Sequence, residues 1–429
     1  MSLKVIELHD NALRVGDESG ILVESPGFAL AVGQQLELGD AAKQQTRIQP
    51  TNSYNKYWNE LSLDPLPHAG SIRHLADIAY AHLLHLAELG GIDGDVIFAV
   101  PGNFTRQQLA ILLGLAKQSP FQAVGLVDSA LAAAIPSAGS GPLIYAEMQL
   151  HQVVLSKLIV RGNQLFRDAV IQVPGVGSQS FMDLMMHLAT GLFIQQCRFN
   201  PQHDAESEQQ LYNALPYWLH QKSSDQNSLI LELQSNTTVH TAKMPRESLA
   251  NNFAKHFKSI SQQIAELAKG EEPKILLSSE FADLPGFTAS LGGYRDLKIL
   301  PAEAISTTTL HYRDHIAQST DQIQLINSLP LINSSIVERN PEPTETLEKQ
   351  QYPTHILIGS NAIPLSNADL LEGFGQIEQQ NGIVYLDSGK KEFLLNQNKV
   401  VGKHEIRLGD QIVFPEGNDE IRLIQVNNG

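Results

Sequence analysis

The sequence predicts an α/β body followed by a small all-β domain, with a polar linker between them. The first sign is a strand-helix-strand-helix unit at 95–135, a building block of α/β folds. The second is a polar, proline-bearing stretch at 330–353 with little apolar periodicity. The third is the pattern after residue 354, where short β-type runs alternate with turns. We therefore divide the chain into a body at 1–329, a linker at 330–353 and a β domain at 354–429.

The strand-helix-strand-helix unit begins with a β-branched run at 96–100 that ends at Pro101-Gly102. The apolar residues of the next segment recur at helical spacing: Leu109, Leu112, Leu113 and Ala116. A second strand is predicted at 123–127, and Asp128-Ser129 then opens an alanine-rich helix. This alternation predicts two strands of one sheet with a helix between them.

The rest of the body alternates short strands with helices. Three short strands are predicted at 4–8, 12–16 and 21–25, and three more at 143–145, 152–160 and 164–173, followed by a helix near Phe181. Further predicted elements are a polar helical insertion at 205–221, a strand at 229–233, a helix at 246–269 and a strand at 274–277.

The unit at 95–135 resembles the ATPase domain of the seventy-kilodalton heat-shock chaperones and their actin-superfamily relatives. That family has a strand ending in Val-Pro-Ala before an aromatic residue, an Asn and a helix bearing Gln; here Val100-Pro101-Gly102 precedes Asn103, Phe104 and the helix. The family's next strand ends in Glu-Pro-Thr-Ala-Ala-Ala, and residues 127–134 stand in its place. The resemblance covers residues 1 to about 320 and is strongest at 95–135 and 245–292. It implies an actin-like, ribonuclease-H-like body of two similar lobes, here at about 1–140 and 141–329, that holds ATP with magnesium between them.

The two hairpin turns that would hold phosphate depart from the family pattern. The family uses an acidic residue, glycines and a hydroxyl in the first hairpin, because backbone amides must approach phosphate oxygens and a carboxylate must organise magnesium. The corresponding turn here contains Glu7, His9 and Asp10, without a glycine or a hydroxyl. Where the second hairpin of the family reads Asp-Leu-Gly-Gly-Gly-Thr, residues 145–151 contain Glu147 and His151 and no glycine.

Two further parts of the expected cleft are also altered. The family's Gly-Gly-Ser turn for adenosine is replaced by Ser278-Ser279-Glu280, and Glu280 would bring negative charge toward an anion. Gly175 and Gly177 remain where the family has a phosphate-side loop, although a glycine pair between a strand and a helix is also typical of an ordinary turn. The candidate cleft therefore consists of nine residues: Glu7, His9, Asp10, Glu147, His151, Gly175, Gly177, Ser278 and Ser279.

Composition narrows the partner classes. The formal net charge is −16, from 30 Lys and Arg against 46 Asp and Glu, which disfavours nucleic acid as a partner.

Cys197 is the single cysteine, so neither a disulfide nor a thiolate metal cluster is expected. His82 and His85 form the best-spaced histidine pair, but their leucine-rich segment favours core or solvent-facing side chains over metal ligands. We expect no membrane insertion and a cytoplasmic location, because no segment has the pattern of a leader or the length of a membrane span.

The β domain has seven predicted strands between 355 and 426, which favours a β-sandwich. Its segments 355–359, 396–400 and 406–414 resemble forkhead-associated domains, above all where Leu408-Gly409-Asp410 precedes an apolar strand. That family binds phosphothreonine with an arginine after the first strand's glycine, a serine and a histidine in the next loop, and an Asn-Gly-Thr turn.

The phosphate-binding residues of that family are not reproduced. Ser360 stands after the glycine, and Ser388, Lys390 and Lys391 lie in the segment that replaces the asparagine turn. A bidentate, charge-assisted grip on phosphate needs an arginine fork, whereas a lysine pair supplies only a looser contact. The candidate phosphopeptide face is therefore predicted to be degenerate.

Both domains keep their fold patterns but lose their anion sites. This combination favours a non-catalytic protein without a cofactor, which binds protein partners in a larger, bacterial-type assembly. Two alternatives stay open. The first is a chaperone-like ATPase that binds or slowly hydrolyses ATP with magnesium in a rearranged cleft. The second is a phosphopeptide-reading adaptor that acts through the β domain.

Overall fold

The computed structural model describes most of the body and the strands of the C-terminal region. The described residues are 3–33, 35–66, 72–139, 141–220, 228–235, 238–318, 323–332, 355–358, 361–364, 376–380, 383–396, 398–406, 410–413 and 420–424. Most of the predicted linker lies outside them. The chain divides into two compact units, Met1–Asn333 and Ser334–Gly429. Among the helices in these ranges, none is long and apolar enough to cross a membrane.

The first lobe, residues 3–139, contains two sheets and four helices. Its elements are β1 (Lys4–Glu7), β2 (Leu13–Asp17), β3 (Gly20–Ser25), β4 (Ala29–Val32), β5 (Gln35–Leu38), α1 (Asp40–Lys43), β6 (Ser53–Tyr54), α2 (Leu75–Leu89), β7 (Asp95–Val100), α3 (Arg106–Ala116), β8 (Gln122–Asp128) and α4 (Ser129–Ala134). Strands β4, β5 and β6 form a small separate sheet.

Local capping explains where the two helices of the 95–135 unit begin. The Thr105 hydroxyl accepts a hydrogen bond from the backbone N–H of Gln108, and the Gln108 side chain accepts one from the N–H of Thr105. Asp128 starts α4 in the same way, because its carboxylate accepts the N–H of Leu131 at 3.1 Å. Each cap satisfies an N–H that has no partner within its helix, so the sequence itself fixes where these helices start.

The second lobe, residues 141–332, repeats the alternation of strands and helices. Its elements are β9 (Leu143–Met148), β10 (Gln152–Arg161), β11 (Gln164–Pro174), α5 (Ser178–Cys197), α6 (Ala205–His220), β12 (Ser228–Ser235), β13 (Thr238–Pro245), α7 (Arg246–Ala268), β14 (Lys274–Leu277), α8 (Phe287–Ser290), β15 (Leu297–Ile299), α9 (Ala304–His311), α10 (Arg313–Ile316), β16 (Leu325–Ile326) and β17 (Ser328–Pro330).

The main sheets of the two lobes have the same topology. In the first, β1, β2 and β3 form an antiparallel meander, and β7 and then β8 add in parallel beside β1. In the second, β9, β10 and β11 form the meander, and β14 and then β15 add in parallel beside β9. Because β1 and β9 occupy equivalent positions, the turns that follow them lie at equivalent edges of their sheets.

Residues 325–330 complete both sheets. Strand β16 pairs in parallel with β8 at the edge of the first sheet, and β17 pairs in antiparallel with β11 at the edge of the second. One short segment therefore joins the two lobes through backbone hydrogen bonds.

A shared apolar core lies between the lobes. Helices α4 and α9 pack between the sheets, where Ala132 of α4 and Ile305 of α9 belong to the same cluster as Val5 of the first sheet and Tyr145 and Leu276 of the second. Two further cores cover the outer faces, one around α2 and α3 and one around α5 to α8. Since the central cluster is continuous across both lobes, opening the lobes would expose apolar surface to water.

The second unit contains strands and no helix among its described residues. Its strands are β18 (His355–Ile358), β19 (Asn361–Pro364), β20 (Gln376–Gln380), β21 (Ile383–Leu395), β22 (Asn398–Ile406), β23 (Gln411–Val413) and β24 (Glu420–Ile424). They form one antiparallel sheet around the long strand β21, which pairs with β20, β22 and β23. The prediction of a mixed α/β body with a separate all-β domain is therefore confirmed.

Candidate functional site

The turns after β1 and β9 are in direct contact. The Asp10 carboxylate accepts a hydrogen bond from the backbone N–H of Leu150 at 2.9 Å. The neighbouring Asn11 side chain accepts one from the Ser178 hydroxyl at 2.6 Å. Asp10 is buried, and burial raises its pKa while the bond from Leu150 opposes that rise. A backbone N–H of the second lobe is thus already hydrogen-bonded to a carboxylate of the first lobe.

Beside these turns lies a buried group of ionisable side chains, which we call the interlobe charge cluster: Glu7, His9, Arg14 and Glu280. Arg14 Nη2 donates to Glu280 Oε1 at 2.7 Å, and His9 Nε2 lies 3.7 Å from Glu280 Oε2. Glu280 follows β14 in the second lobe, whereas the other three belong to the first. The cluster therefore joins the lobes by charge at the edge where their turns meet.

Strand register in the first lobe places Arg14 between two acidic residues. Arg14 on β2 stands directly opposite Glu7 on β1 and directly opposite Glu24 on β3. Its guanidinium lies 3.9 Å from the Glu7 carboxylate and 3.5 Å from that of Glu24. Directly opposite residues of opposite charge attract across antiparallel strands, which holds the Arg14 side chain above the sheet and toward Glu280.

The pKa values of the two carboxylates of the cluster shift in opposite directions. Loss of water raises the pKa of Glu7 to about 7, although Arg14 and His9 oppose the rise. Burial alone would also raise the pKa of Glu280, but His9 and Arg14 outweigh it and lower that pKa to about 2. Among the described residues, neither oxygen of Glu7 accepts a hydrogen bond of good geometry, although the backbone N–H of Ser306 approaches the carboxylate and also opposes the rise of its pKa. Arg14 therefore pairs chiefly with Glu280, and Glu7 is left poorly solvated.

The second turn is held by its own side chains. Glu147 is buried; its carboxylate accepts bonds from the Ser129 hydroxyl at 2.8 Å and from the Gln149 amide at 3.1 Å, and burial raises its pKa. His151 Nε2 lies 3.0 Å from the backbone oxygen of Asn55, in the first lobe. The second turn is therefore held to the first lobe at Glu147 and again at His151.

The serines after β14 also make internal bonds. The Ser278 hydroxyl accepts the backbone N–H of Met148 at 3.2 Å, and the Ser279 hydroxyl donates to Glu280 at 3.2 Å. Both hydroxyls therefore support the second turn and the charge cluster.

Gly175 and Gly177 serve a close approach of chain segments. Gly175 has a φ of 71°, in the left-handed region that favours glycine, and a Cβ on Gly177 would lie 2.3 Å from the backbone nitrogen of Gln152. The first two N–H groups of α5, those of Ser178 and Gln179, donate to the carbonyls of Gln149 and Leu150. The loop thus packs the start of α5 onto the second turn, and these donors are already engaged.

Three cations of this region were not predicted from the sequence: Arg14, Lys43 and Arg47. Arg47 bridges the lobes, because its guanidinium lies 2.6 Å from Asp183 and 4.8 Å from the centre of the Tyr212 ring. Its backbone N–H donates to Gln209 of α6. Lys43, at the end of α1, lines a cavity between the lobes. For Arg14 a signal existed in the Glu7–Arg14–Glu24 pairing, whereas Lys43 and Arg47 resemble ordinary surface cations in the sequence.

The cavity beside Lys43 has a volume of about 160 Å³. Asn11, Phe28 and Lys43 line it from the first lobe, and α5, α6 and the segment around Leu284 line it from the second.

Of the predicted histidine pair, His82 lies in the core and His85 is half-buried. His82 is fully buried and bonds to the Ser25 hydroxyl at 2.8 Å through Nε2 and to the Tyr57 hydroxyl at 2.7 Å through Nδ1. Burial, with a smaller effect of His85, lowers the pKa of His82 to about 3. A neutral ring that links two hydroxyls stabilises the packing of α2. In the part of the chain that the structure describes, no group of three or more His, Cys, Asp or Glu side chains could hold a metal ion.

On the predicted phosphopeptide face, Ser388 is buried and Lys391 is exposed. Its hydroxyl donates to the Lys391 carbonyl at 2.7 Å and accepts the Gly402 N–H at 3.1 Å, within the irregular pairing of β21 and β22. Ser360 and the side chain of Lys390 lie outside the described residues. Ser388 therefore has an internal structural role.

Comparison with known proteins adds no family. No protein-family model matches the sequence, and no curated protein is similar enough to count as a relative.

Proposed function

We propose that the body is a non-catalytic protein-binding scaffold, built on the actin-like, two-lobed fold of the chaperone ATPases. The observation that carries the proposal is the pair of contacts at the turns, the Asp10–Leu150 hydrogen bond and the Arg14–Glu280 ion pair. A nucleotide cleft of this type needs free backbone donors and free space between the turns for phosphate. Here an internal carboxylate and an internal ion pair take those positions.

The energetics of these contacts also favour a fixed, closed body. A ligand phosphate would have to displace the buried Asp10 carboxylate from Leu150, and the displaced charge would then need a new partner. Glu280 brings a further carboxylate to the same edge, where it is already paired with Arg14 at 2.7 Å. A phosphate group would therefore compete with Glu280 for the guanidinium.

A scaffold of this kind acts through its surface. We propose protein partners within a larger assembly, with the second unit as a forkhead-associated-like docking module. The net charge of −16 supports partners with basic or neutral surfaces over nucleic acid.

Nucleotide binding in a rearranged cleft is the second candidate, and Lys43 is the observation that favours it. A lysine beside an interlobe cavity is a suitable phosphate contact. The cavity, however, holds about 160 Å³, which is below the roughly 300–1,000 Å³ of sites for cofactor-sized ligands. We therefore rank this candidate below the scaffold.

Titration with Mg-ATP separates the two. We expect millimolar Mg-ATP to release no phosphate and to leave the melting temperature unchanged, because a ligand that binds the native state must stabilise it by mass action. Thermal melting and a phosphate-release assay measure the two effects. Steady hydrolysis that disappears in Glu7→Ala would refute the scaffold proposal, and so would a clear melting shift that disappears in Lys43→Gln.

We also expect the second unit to ignore phosphate. Calorimetry of the full chain against a phosphothreonine peptide library should give no more heat than the unphosphorylated library, because Ser388 is engaged internally and no arginine fork precedes it in the sequence. The double variant Lys390→Ala, Lys391→Ala is the control. Phosphate-dependent binding that this variant loses would support the adaptor alternative instead.

A further inference from the structure

The interlobe cavity has the composition of a small-ligand site. Eight of its lining residues are apolar: Phe28, Met148, Leu150, Phe181, Met182, Pro216, Leu219 and Leu284. The polar ones include Lys43 from the first lobe, Ser178, Gln179 and Tyr212 from the second, and the carboxylates Glu280 and Asp283. An apolar interior with a few polar groups at its margin is typical of sites that bind small organic molecules.

Lys43 is the cation of this cavity that has no anionic partner. Its ammonium lies 5.9 Å from the centre of the Phe28 ring, and none of the ion pairs within 4.0 Å that join described residues includes Lys43. Burial lowers the pKa of Lys43, while the more distant charges of Asp40 and Glu24 oppose that effect. A poorly solvated ammonium gains free energy when an anion takes the place of the lost water.

The two carboxylates of the lining limit what the anion can be. Glu280 is paired with Arg14 at 2.7 Å, and both Glu280 and Asp283 approach from the second lobe, whereas Lys43 approaches from the first. A ligand with several negative charges would meet these carboxylates, while one negative charge can lie on Lys43. This arrangement favours a monocarboxylate over phosphate or a nucleotide.

Volume fixes the size of the rest of the ligand. Cavities of roughly 150 Å³ with apolar walls accept a molecule the size of benzene. The cavity here holds about 160 Å³, so it accepts a short aliphatic or single-ring body next to the carboxylate.

We propose that this cavity binds a small monocarboxylic acid with an apolar body, with its carboxylate on Lys43 and its body against Phe181, Met182 and Leu284. Such a ligand contacts both lobes, so it stabilises the closed arrangement of the body. The proposal goes beyond the scaffold function, because it assigns to the scaffold a ligand that reports on lobe closure.

Calorimetry and thermal melting of the full chain test this with four probes: phenylacetate, hexanoate, their uncharged amides, and inorganic phosphate. We expect dissociation constants of about 0.1–1 mM for the two acids, in keeping with the affinity that so few heavy atoms can supply. The amides should bind about tenfold or more weakly, since they lose the charge-assisted contact. Phosphate should give no shift.

Lys43→Gln should weaken the acids about tenfold or more without changing the amides. Lys56→Gln removes an exposed lysine of the same lobe and should change neither. The proposal fails if neither acid binds at millimolar concentration, if acids and amides bind the wild-type protein equally, or if Mg-ATP displaces the acids in a Lys43-dependent way. The acid-to-amide ratio on the wild-type protein decides the matter even if Lys43→Gln does not fold.

Discussion

Replacing Arg14 with methionine should lower the free energy of unfolding of the body by about 3–5 kcal/mol, the range for removing one partner of a buried ion pair. The change leaves Glu7 and Glu280 buried without their nearest cation, which lies 2.7 Å from Glu280 in the native protein. Urea unfolding followed by tryptophan fluorescence measures it, because the two tryptophans, Trp58 and Trp218, report on one lobe each and both lie in the body.

Two variants make this prediction specific. Arg161→Met breaks an exposed ion pair with Asp168 and should cost less than about 1 kcal/mol. The triple variant Arg14→Met, Glu7→Gln, Glu280→Met should recover much of the lost stability, since removing both signs of a buried pair is often nearly neutral. Equal losses for Arg14→Met and Arg161→Met would mean that the interlobe charge cluster does not hold the lobes together.

Glu7→Gln should stabilise the body at pH 8 and have little effect near pH 4. Burial raises the pKa of Glu7 from its ordinary value of 4.5 to about 7, so between these values the folded protein binds more protons than the unfolded chain. The stability that this group contributes is fully present below pH 4.5 and is lost as the pH rises through 7. Glutamine resembles the protonated form, so the gain at pH 8 is about 3–4 kcal/mol at most, from 1.36 kcal/mol per pKa unit over the shift from 4.5 to about 7.

The measurement is urea unfolding of both proteins across this pH range. Glu24→Gln, which removes the half-exposed acid opposite Arg14 on the other side, should leave the pH dependence unchanged. A loss of stability in Glu7→Gln at pH 8 would show that the attraction of Arg14 outweighs the cost of burial. Glu280 has the opposite dependence, since its pKa is lowered to about 2 and its contribution disappears only as the pH falls from 4.5 through 2.

Local patterns in the sequence were sufficient for the elements that are buried. Strands β7 and β14 lie within a residue of their predicted bounds, because uninterrupted apolar runs form strands covered on both faces. Helix α7 was equally readable, since Leu249, Phe253, Phe257, Ile260 and Ile264 recur on one face. The type and the burial of these elements could therefore be predicted from their own residues.

Elements with little buried surface were missed. Strand β13 buries only Ala242 and Met244, so its sequence has too weak an alternation to predict a strand. It forms because β12 pairs with it along its whole length. The small sheet of β4, β5 and β6 depends in the same way on pairing between short, partly exposed segments.

The sequence identified the acidic residues of the candidate site but not the residues that they contact. The acids of the turns were visible in the sequence, yet their partners are distant along it: Arg14 is 266 residues from Glu280, and Asp10 is 140 from Leu150. Only the packing of one lobe on the other shows that the Asp10 carboxylate and the Arg14 guanidinium lie at the edge where the family resemblance implies a phosphate site.

The segment at 325–330 has a consequence for how the polypeptide is made. It adds the last strand to each main sheet, β16 beside β8 and β17 beside β11, and the ribosome synthesises it after every other strand of both sheets. Until that moment β8 and β11 lie at open edges of their sheets, and an unpaired strand edge is a template for pairing with other molecules. A single stretch of six residues then pairs with both strands, so the newborn body covers one open edge of each main sheet in one step near the end of its translation.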